Sequence, residues 1–227
     1  MRIVYLHGFA SGPGSSKAQF FRARFEELGV PFEIPRLDEG NFQALTISGQ
    51  LRVIDRAVQQ GGDRTTLMGS SLGGYLAALY AARHEGIEKL VLLAPAFQFP
   101  SRWRTRFERD LAQWRSDGQK NFYHYALGGD RPLGYQFVED AVQYEEEPDF
   151  RQSGLIFHGT RDDVVPAEVS EQFASRHPDV RLRLLDSGHE LTDVLDIMWV
   201  EVAAFLGLPD PGGFPNPRGF PNPGAAG

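Results

Sequence analysis

The stretch Gly69-Ser70-Ser71-Leu72-Gly73 constrains this chain more than any other. It reads G-x-S-x-G, and its flanks differ sharply. Thr65-Thr66-Leu67-Met68 before it is short and apolar enough for a buried strand. Leu72 to Arg83 after it is rich in Ala and Leu and reads as a helix. A sharp strand-to-helix turn of this pattern lifts its central serine above the sheet edge and holds it in a strained backbone conformation. Close packing at such a turn needs small flanks, and Gly69, Gly73 and Gly74 supply them. Only Ser71 fits the register, because Ser70 would need glycines where Met68 and Leu72 stand.

The rest of the chain alternates strands and helices around this turn. Ile3-Val4-Tyr5-Leu6 is a continuous apolar run ending at His7-Gly8, as expected for a strand buried on both faces. Ser16-Lys17-Ala18-Gln19 has capping-box spacing and opens a helix carrying Phe21, Phe25 and Leu28. Phe32-Glu33-Ile34 reads as a short second strand, and Ile47, Leu51, Ile54 and Val58 line the next helix. Lys89 to Leu93, Leu155-Ile156-Phe157 and Arg181 to Leu185 are further strands. Pro166 suits the first turn of a helix running to about Arg176. Leu191, Val194, Leu195, Met198, Val202 and Phe205 form the stripe of a last helix. Such alternation predicts one α/β domain over residues 1–208, with about six mostly parallel strands and helices on both faces.

Two segments depart from that rhythm. Residues 97–150 hold 12 of the 27 aromatic residues, about twice their share by length. They predict a helical cap, with helices over Trp103 to Trp114 and Phe137 to Glu147 joined by a loop. Its aromatic residues serve either as a pocket wall or as ordinary core. Residues 209–227 are rich in Pro and Gly and repeat G-F-P-N-P. They read as a flexible tail, or alternatively as a docking segment using Phe214 and Phe220.

Composition narrows the classes of function. A net charge of −7 and no basic cluster beyond Arg102-Trp103-Arg104-Thr105-Arg106 argue against nucleic acid as a partner. No apolar run is long enough to span a membrane. The chain has no cysteine, which removes disulfides and thiolate chemistry and fits a reducing, cytoplasmic setting. Glu145-Glu146-Glu147 has no His or Asp partner at ligand spacing, so neither metal nor cofactor is implied.

A serine hydroxyl needs a base in hydrogen-bond reach and an acid to orient that base. Both should stand on loops after later strands, acid first. The loop after Leu155-Ile156-Phe157 offers Asp162 and Asp163, and the loop after Leu185 offers His189. His7 and His158 each precede a glycine at a strand end and read as structural hydrogen-bonding groups. His84, His124 and His177 read as surface residues. One donor to a developing oxyanion should be the N–H of Leu72, the residue after the nucleophile.

Tyr5-Leu6-His7-Gly8-Phe9 with its Ser/Gly/Pro loop, Gly69 to Tyr75, the H-G-x-x-D-x-x-V stretch from His158 and the late Gly188-His189 together resemble the α/β-hydrolase superfamily. Within it the chain is similar to small bacterial YqiA-like serine esterases, over roughly residues 2–207. The resemblance implies a three-layer α/β-hydrolase fold that lacks the two leading strands of the full superfamily. It implies Ser71 as nucleophile, His189 as base and Asp162, the fifth residue of H-G-x-x-D, as acid. It points to the N–H of Phe9 as second oxyanion donor, with Ala10 the neighbouring option. The implied substrate is a small-molecule carboxylic ester; the apolar rings of residues 97–150, with the limited pocket depth of a small domain, set the expected acyl group at short to medium length. An acyl-CoA thioesterase, a serine peptidase and a non-catalytic binding module of the same fold are the alternatives. The sequence is neutral between monomer and homodimer.

Overall fold

A computed structural model describes residues 1–61 and 64–209. The G-F-P-N-P repeats therefore lie outside the described residues. One sheet is built from β1 (Arg2–Leu6), β2 (Phe32–Glu33), β3 (Thr65–Ser70), β4 (Ile87–Leu93), β7 (Ser153–Gly159) and β8 (Val180–Leu185). The six strands lie in the order β2-β1-β3-β4-β7-β8, every neighbouring pair parallel.

The continuous apolar runs follow from burial on two faces. In β1, Ile3 and Tyr5 enter one core while Val4 and Leu6 enter the other. In β4, Val91 and Leu93 part from Leu90 and Leu92 in the same way. Helices α1 (Ser16–Glu27) and α8 (Leu195–Leu206) cover the first face, where the Phe25 ring meets Trp199 edge-on at 5.1 Å. Helices α2 (Ile47–Gln59), α3 (Leu72–Ala81) and α7 (Ala167–Arg176) cover the second. Each fully buried ring or branched aliphatic side chain contributes about 1.5–3 kcal/mol to that layering.

Residues 97–150 form the cap between β4 and β7, and its interior differs from the expected two helices and a loop. Helices α4 (Phe99–Arg106) and α5 (Leu111–Asp117) are separate, and α6 (Gln136–Ala141) ends well before Glu147. In place of the loop stands an antiparallel hairpin, β5 (Gln119–His124) and β6 (Gly129–Gly134). Pro132 is tolerated in β6 because a two-stranded ribbon leaves each strand an edge needing no donor. Trp103, Phe107, Phe122 and Phe137 pack on one another, and Trp114 is buried with its indole N–H donating to Leu133 O at 2.9 Å. Tyr123 points outward instead, and Phe97 stacks on Phe173 of α7.

Three further expectations are corrected. Ser16 is not a capping-box residue. The N-cap of α1 is Ser15, without a side-chain cap bond, so Gln19 falls one position too late and donates to Pro13 O at 2.7 Å. The last helix begins at Leu195 rather than Leu191, because Leu191 adopts φ +53° and a 3₁₀ turn over Thr192–Val194 intervenes. His124 is 2% exposed rather than a surface residue. It ends β5 facing inward, with its ring edge-on to Phe42 at 4.8 Å.

Candidate active site

Ser71 stands between β3 and α3 with φ +53° and ψ −118°, a region that non-glycine residues rarely occupy. Its neighbours hold it there. Its N–H donates to Leu93 O at 2.9 Å, and its carbonyl accepts from Gly74 N, Tyr75 N and Ala96 N at 2.9, 3.1 and 3.0 Å. Two glycines make the turn sterically feasible. A Cβ on Gly69 would lie 2.3 Å from Gly73 O, and one on Gly73 would lie 2.1 Å from Leu6 O. The main chains of β1, β3 and α3 therefore meet without intervening side chains.

The turn aims Ser71 Oγ at His189, whose Nε2 lies 3.0 Å away. On the far side of the ring, His189 Nδ1 lies 2.7 Å from Asp162 Oδ2. A carboxylate can only accept, so Nδ1–H donates to it and the Nε2 lone pair faces the serine hydroxyl. Asp162 and His189 come from loops after β7 and β8, which are adjacent parallel strands, so both reach the same sheet edge.

Asp162 is fully buried as a side chain, and both its oxygens are engaged. Its Oδ1 accepts from Val164 N at 2.9 Å and Val165 N at 2.8 Å. Its Oδ2 faces His189 and also His158 Nε2 at 3.2 Å. Burial pushes this carboxyl upward, but the hydrogen bonds from His158, His189 and the Val165 N–H outweigh it and hold the group well below the usual carboxylate range. Asp163 is exposed, and the two acids that sequence reasoning leaves side by side are thereby distinguished by position.

His158 keeps the structural place expected of it, with a sharper partner than the sequence indicates. Its Nε2 sits 2.8 Å from Val165 O, so that nitrogen carries the proton, and Nδ1 accepts from Ser170 Oγ–H at 2.7 Å. His7 is likewise structural. Its Nδ1–H faces Gly8 O at 3.1 Å and its Nε2 accepts from Leu37 N at 3.4 Å, while burial pushes the ring below the usual histidine range.

Leu72 opens α3, and no carbonyl among the described residues accepts from its N–H, as is general for the first turn of a helix. Phe9 follows β1, the neighbour of β3, with Leu6 opposite Gly69. Its ring packs against Trp103, Phe122 and Phe137 at 4.8, 5.4 and 5.8 Å, which couples the loop after β1 to the cap. The cap also grips the next residue: Tyr125 N donates to Ala10 O at 2.8 Å, and Ala10 has φ +52°.

Two buried groups near this edge are not apparent from sequence. His124 contributes to the wall behind the loop after β1, and nothing in a hairpin tip of mixed polarity marks it as inward. Lys17 is 7% exposed, although a lysine at the start of a helix ordinarily reads as surface. Among the described residues, no group of three or more His, Cys, Asp or Glu side chains could hold a metal ion. No helix among them is long and apolar enough to cross a membrane.

Solved structures resemble this chain over most of its length. Mouse α/β-hydrolase domain-containing protein 10 matches with a TM-score of 0.77 and 20% identity, over 90% of this chain and 89% of that one. Est1E from Butyrivibrio proteoclasticus, solved with ferulic acid bound, matches with a TM-score of 0.77 and 22% identity, over 90% and 87%. The esterase Pf2001 from Pyrococcus furiosus matches with a TM-score of 0.66 and 17% identity, over 91% and 82%. At these identities the likeness is one of fold. No curated protein sequence matches the chain. The model of the uncharacterised protein family UPF0227 matches residues 2–206. The chain belongs to that family, and its fold is that of the α/β-hydrolase superfamily.

Proposed function

We propose that this protein is a serine hydrolase of carboxylic esters, working through an acyl-serine intermediate. The observation that carries the reading is the relay Ser71 Oγ, His189 and Asp162, with contacts of 3.0 and 2.7 Å. In the first half-reaction Ser71 Oγ attacks the ester carbonyl while His189 Nε2 takes its proton. The tetrahedral oxyanion collapses, the C–O bond to the alcohol breaks, and His189 returns the proton to the departing alkoxide. In the second half-reaction water attacks the acyl-serine, its proton again passing through His189, and the acid and free Ser71 are released.

Asp162 fixes the imidazole tautomer and stabilises the imidazolium that forms in each transition state. The N–H groups of Leu72 and Phe9 hold the oxyanion, and the positive end of α3 adds to that field. These donors act where charge develops, which is why they contribute to the barrier more than to ground-state binding. Two esterases among the similar structures share this fold, which favours ester over amide chemistry. The aromatic interior of the cap, continuous with Phe9, suits an apolar acyl group of short to medium length, roughly C2 to C8.

The test is turnover of p-nitrophenyl butyrate by wild-type protein and by Ser71→Ala. The reading requires measurable hydrolysis that falls at least about 1,000-fold in the variant, with circular dichroism and Tm unchanged. Equal turnover by both proteins overturns it.

A further inference from the structure

We infer that Lys17 is a positioning residue for His189, acting through Glu190 and thus resting on the hydrolase reading above. Lys17 is the second residue of α1, and its side chain is 8% exposed. Burying an ammonium group costs free energy unless something compensates it. Its anionic partner is Glu190, whose Oε2 lies 3.5 Å from Lys17 Nζ. Glu190 is the residue immediately after His189.

An ordinary surface pair of this kind would contribute little, since Glu190 itself is 77% exposed as a side chain. Its location sets it apart. His189 and Glu190 are the two central residues of a turn from Gly188 to Leu191, closed by a single long main-chain bond. Upstream, Ser187 O accepts from Arg161 N at 3.0 Å, and Arg161 also pairs with Asp186 at 2.8 Å. Downstream, Leu191 is buried and bonds back to Gly188 O at 3.4 Å. Between them, no carbonyl among the described residues accepts from the N–H of His189 or of Glu190. The Lys17 tether therefore adds a restraint from outside the turn, running from α1 to the residue beside the imidazole.

The surroundings of Lys17 are consistent with a fixed polar anchor. Tyr5 and Ser70, both buried, lie on the same face of the sheet end, and Glu190 and Asp162 are the acidic groups whose charges act on Lys17. Burial pushes the ammonium below the usual lysine range, and Glu190 opposes that shift. Such a buried charge weakens the fold relative to an apolar side chain of similar length. A role in holding the site accounts for a lysine there, where packing alone would favour methionine.

The experiment compares wild type, Lys17→Met, Glu190→Gln and the double variant on p-nitrophenyl butyrate, with Ser71→Ala as control and active-site titration to correct for the folded fraction. The expected result is a kcat at least fivefold lower in each single variant, with KM within about twofold. The double variant should be no worse than the more impaired single, because both break one tether. The Tm of Lys17→Met should equal or exceed that of wild type. A kcat loss smaller than fivefold in Glu190→Gln, multiplying losses in the double variant, or a kcat loss matched by loss of titratable sites overturns the inference. Should Lys17→Met fail to fold, the exposed Glu190→Gln decides alone. Absence of wild-type turnover, or full turnover in Ser71→Ala, would instead sink the hydrolase reading itself.

Discussion

Replacing Asp162 by Asn removes one charge and almost no volume, and the hydrogen bonds around it dictate the consequence. The new amide must choose an orientation. Val164 N and Val165 N both donate to the Oδ1 position, at 2.9 and 2.8 Å, so the amide oxygen belongs there. The reverse orientation would set an NH₂ group against two N–H donors and forfeit both bonds. With the oxygen at Oδ1, the NH₂ group occupies the Oδ2 position, 2.7 Å from His189 Nδ1. Nδ1 must then accept, which moves the imidazole proton to Nε2. A protonated Nε2 cannot take the Ser71 proton across 3.0 Å. His158 Nε2–H, now facing the same NH₂ group, loses an acceptor as well. Restoring the productive tautomer costs one or two hydrogen bonds, each about 1 kcal/mol net, plus the opposition of two donors. The lost carboxylate also no longer stabilises the imidazolium. Together these raise the barrier by about 4–5.5 kcal/mol, or about 1,000- to 10,000-fold in kcat. KM should move by less than about threefold, since Asp162 is buried away from any substrate. The assay is steady-state hydrolysis of p-nitrophenyl butyrate, with Asp163→Asn as the paired control, expected within about threefold of wild type. Asp162→Asn retaining a tenth of wild-type kcat, or Asp163→Asn falling as far, would refute the reasoning.

Three further outcomes are expected from the same geometry. Hydrogen bonds hold Asp162 ionised well below the usual range, so its carboxylate stabilises the fold above about pH 4 and that stabilisation is lost as pH falls through the depressed value. Denaturant unfolding should therefore show a smaller stability loss between about pH 5 and pH 3 in Asp162→Asn than in wild type, and equal losses in the two proteins would contradict this. Gly73→Ala forces a Cβ to 2.1 Å from Leu6 O and 2.6 Å from His7 O, both rigid main chain, and should cost about 3 kcal/mol or more. Gly86→Ala, with nothing within 4 Å, should be near neutral, and equal urea midpoints for the two would contradict this. Trp103→Ala and Phe107→Ala should alter the acyl-length profile between acetate and octanoate esters while sparing acetate turnover, and unchanged profiles in both would remove the cap from substrate choice.

The sequence discloses most where one physical demand acts alone. β1, β4 and β7 are buried on both faces, and continuous apolar runs such as Ile3-Val4-Tyr5-Leu6 have few other uses. The turn at Ser71 is legible because main chains approach so closely that only glycine fits at Gly69 and Gly73. The candidate acid is harder to read, since Asp162 and Asp163 are chemically identical neighbours. What separates them is the turn of Val164 and Val165, whose N–H groups reach only one. The cap is least legible. Its aromatics satisfy helix and hairpin equally, and the packing of Trp103, Phe122 and Phe137 against Phe9 is a tertiary contact that no local pattern announces. His124 is misread as a surface residue, and the burial of Lys17 is not legible, for a related reason. Polar residues announce a preference for solvent, and only their neighbours in space override it.

Covalent labelling tests most directly whether Ser71 is the nucleophile. Full-length protein is incubated with a fluorophosphonate probe, digested, and the adduct mapped by mass spectrometry. One adduct per chain is predicted, on Ser71, absent in Ser71→Ala and slowed at least about 100-fold in His189→Ala. An adduct on Ser70 or any other serine with Ser71 unmodified, or no adduct on folded protein, would contradict it.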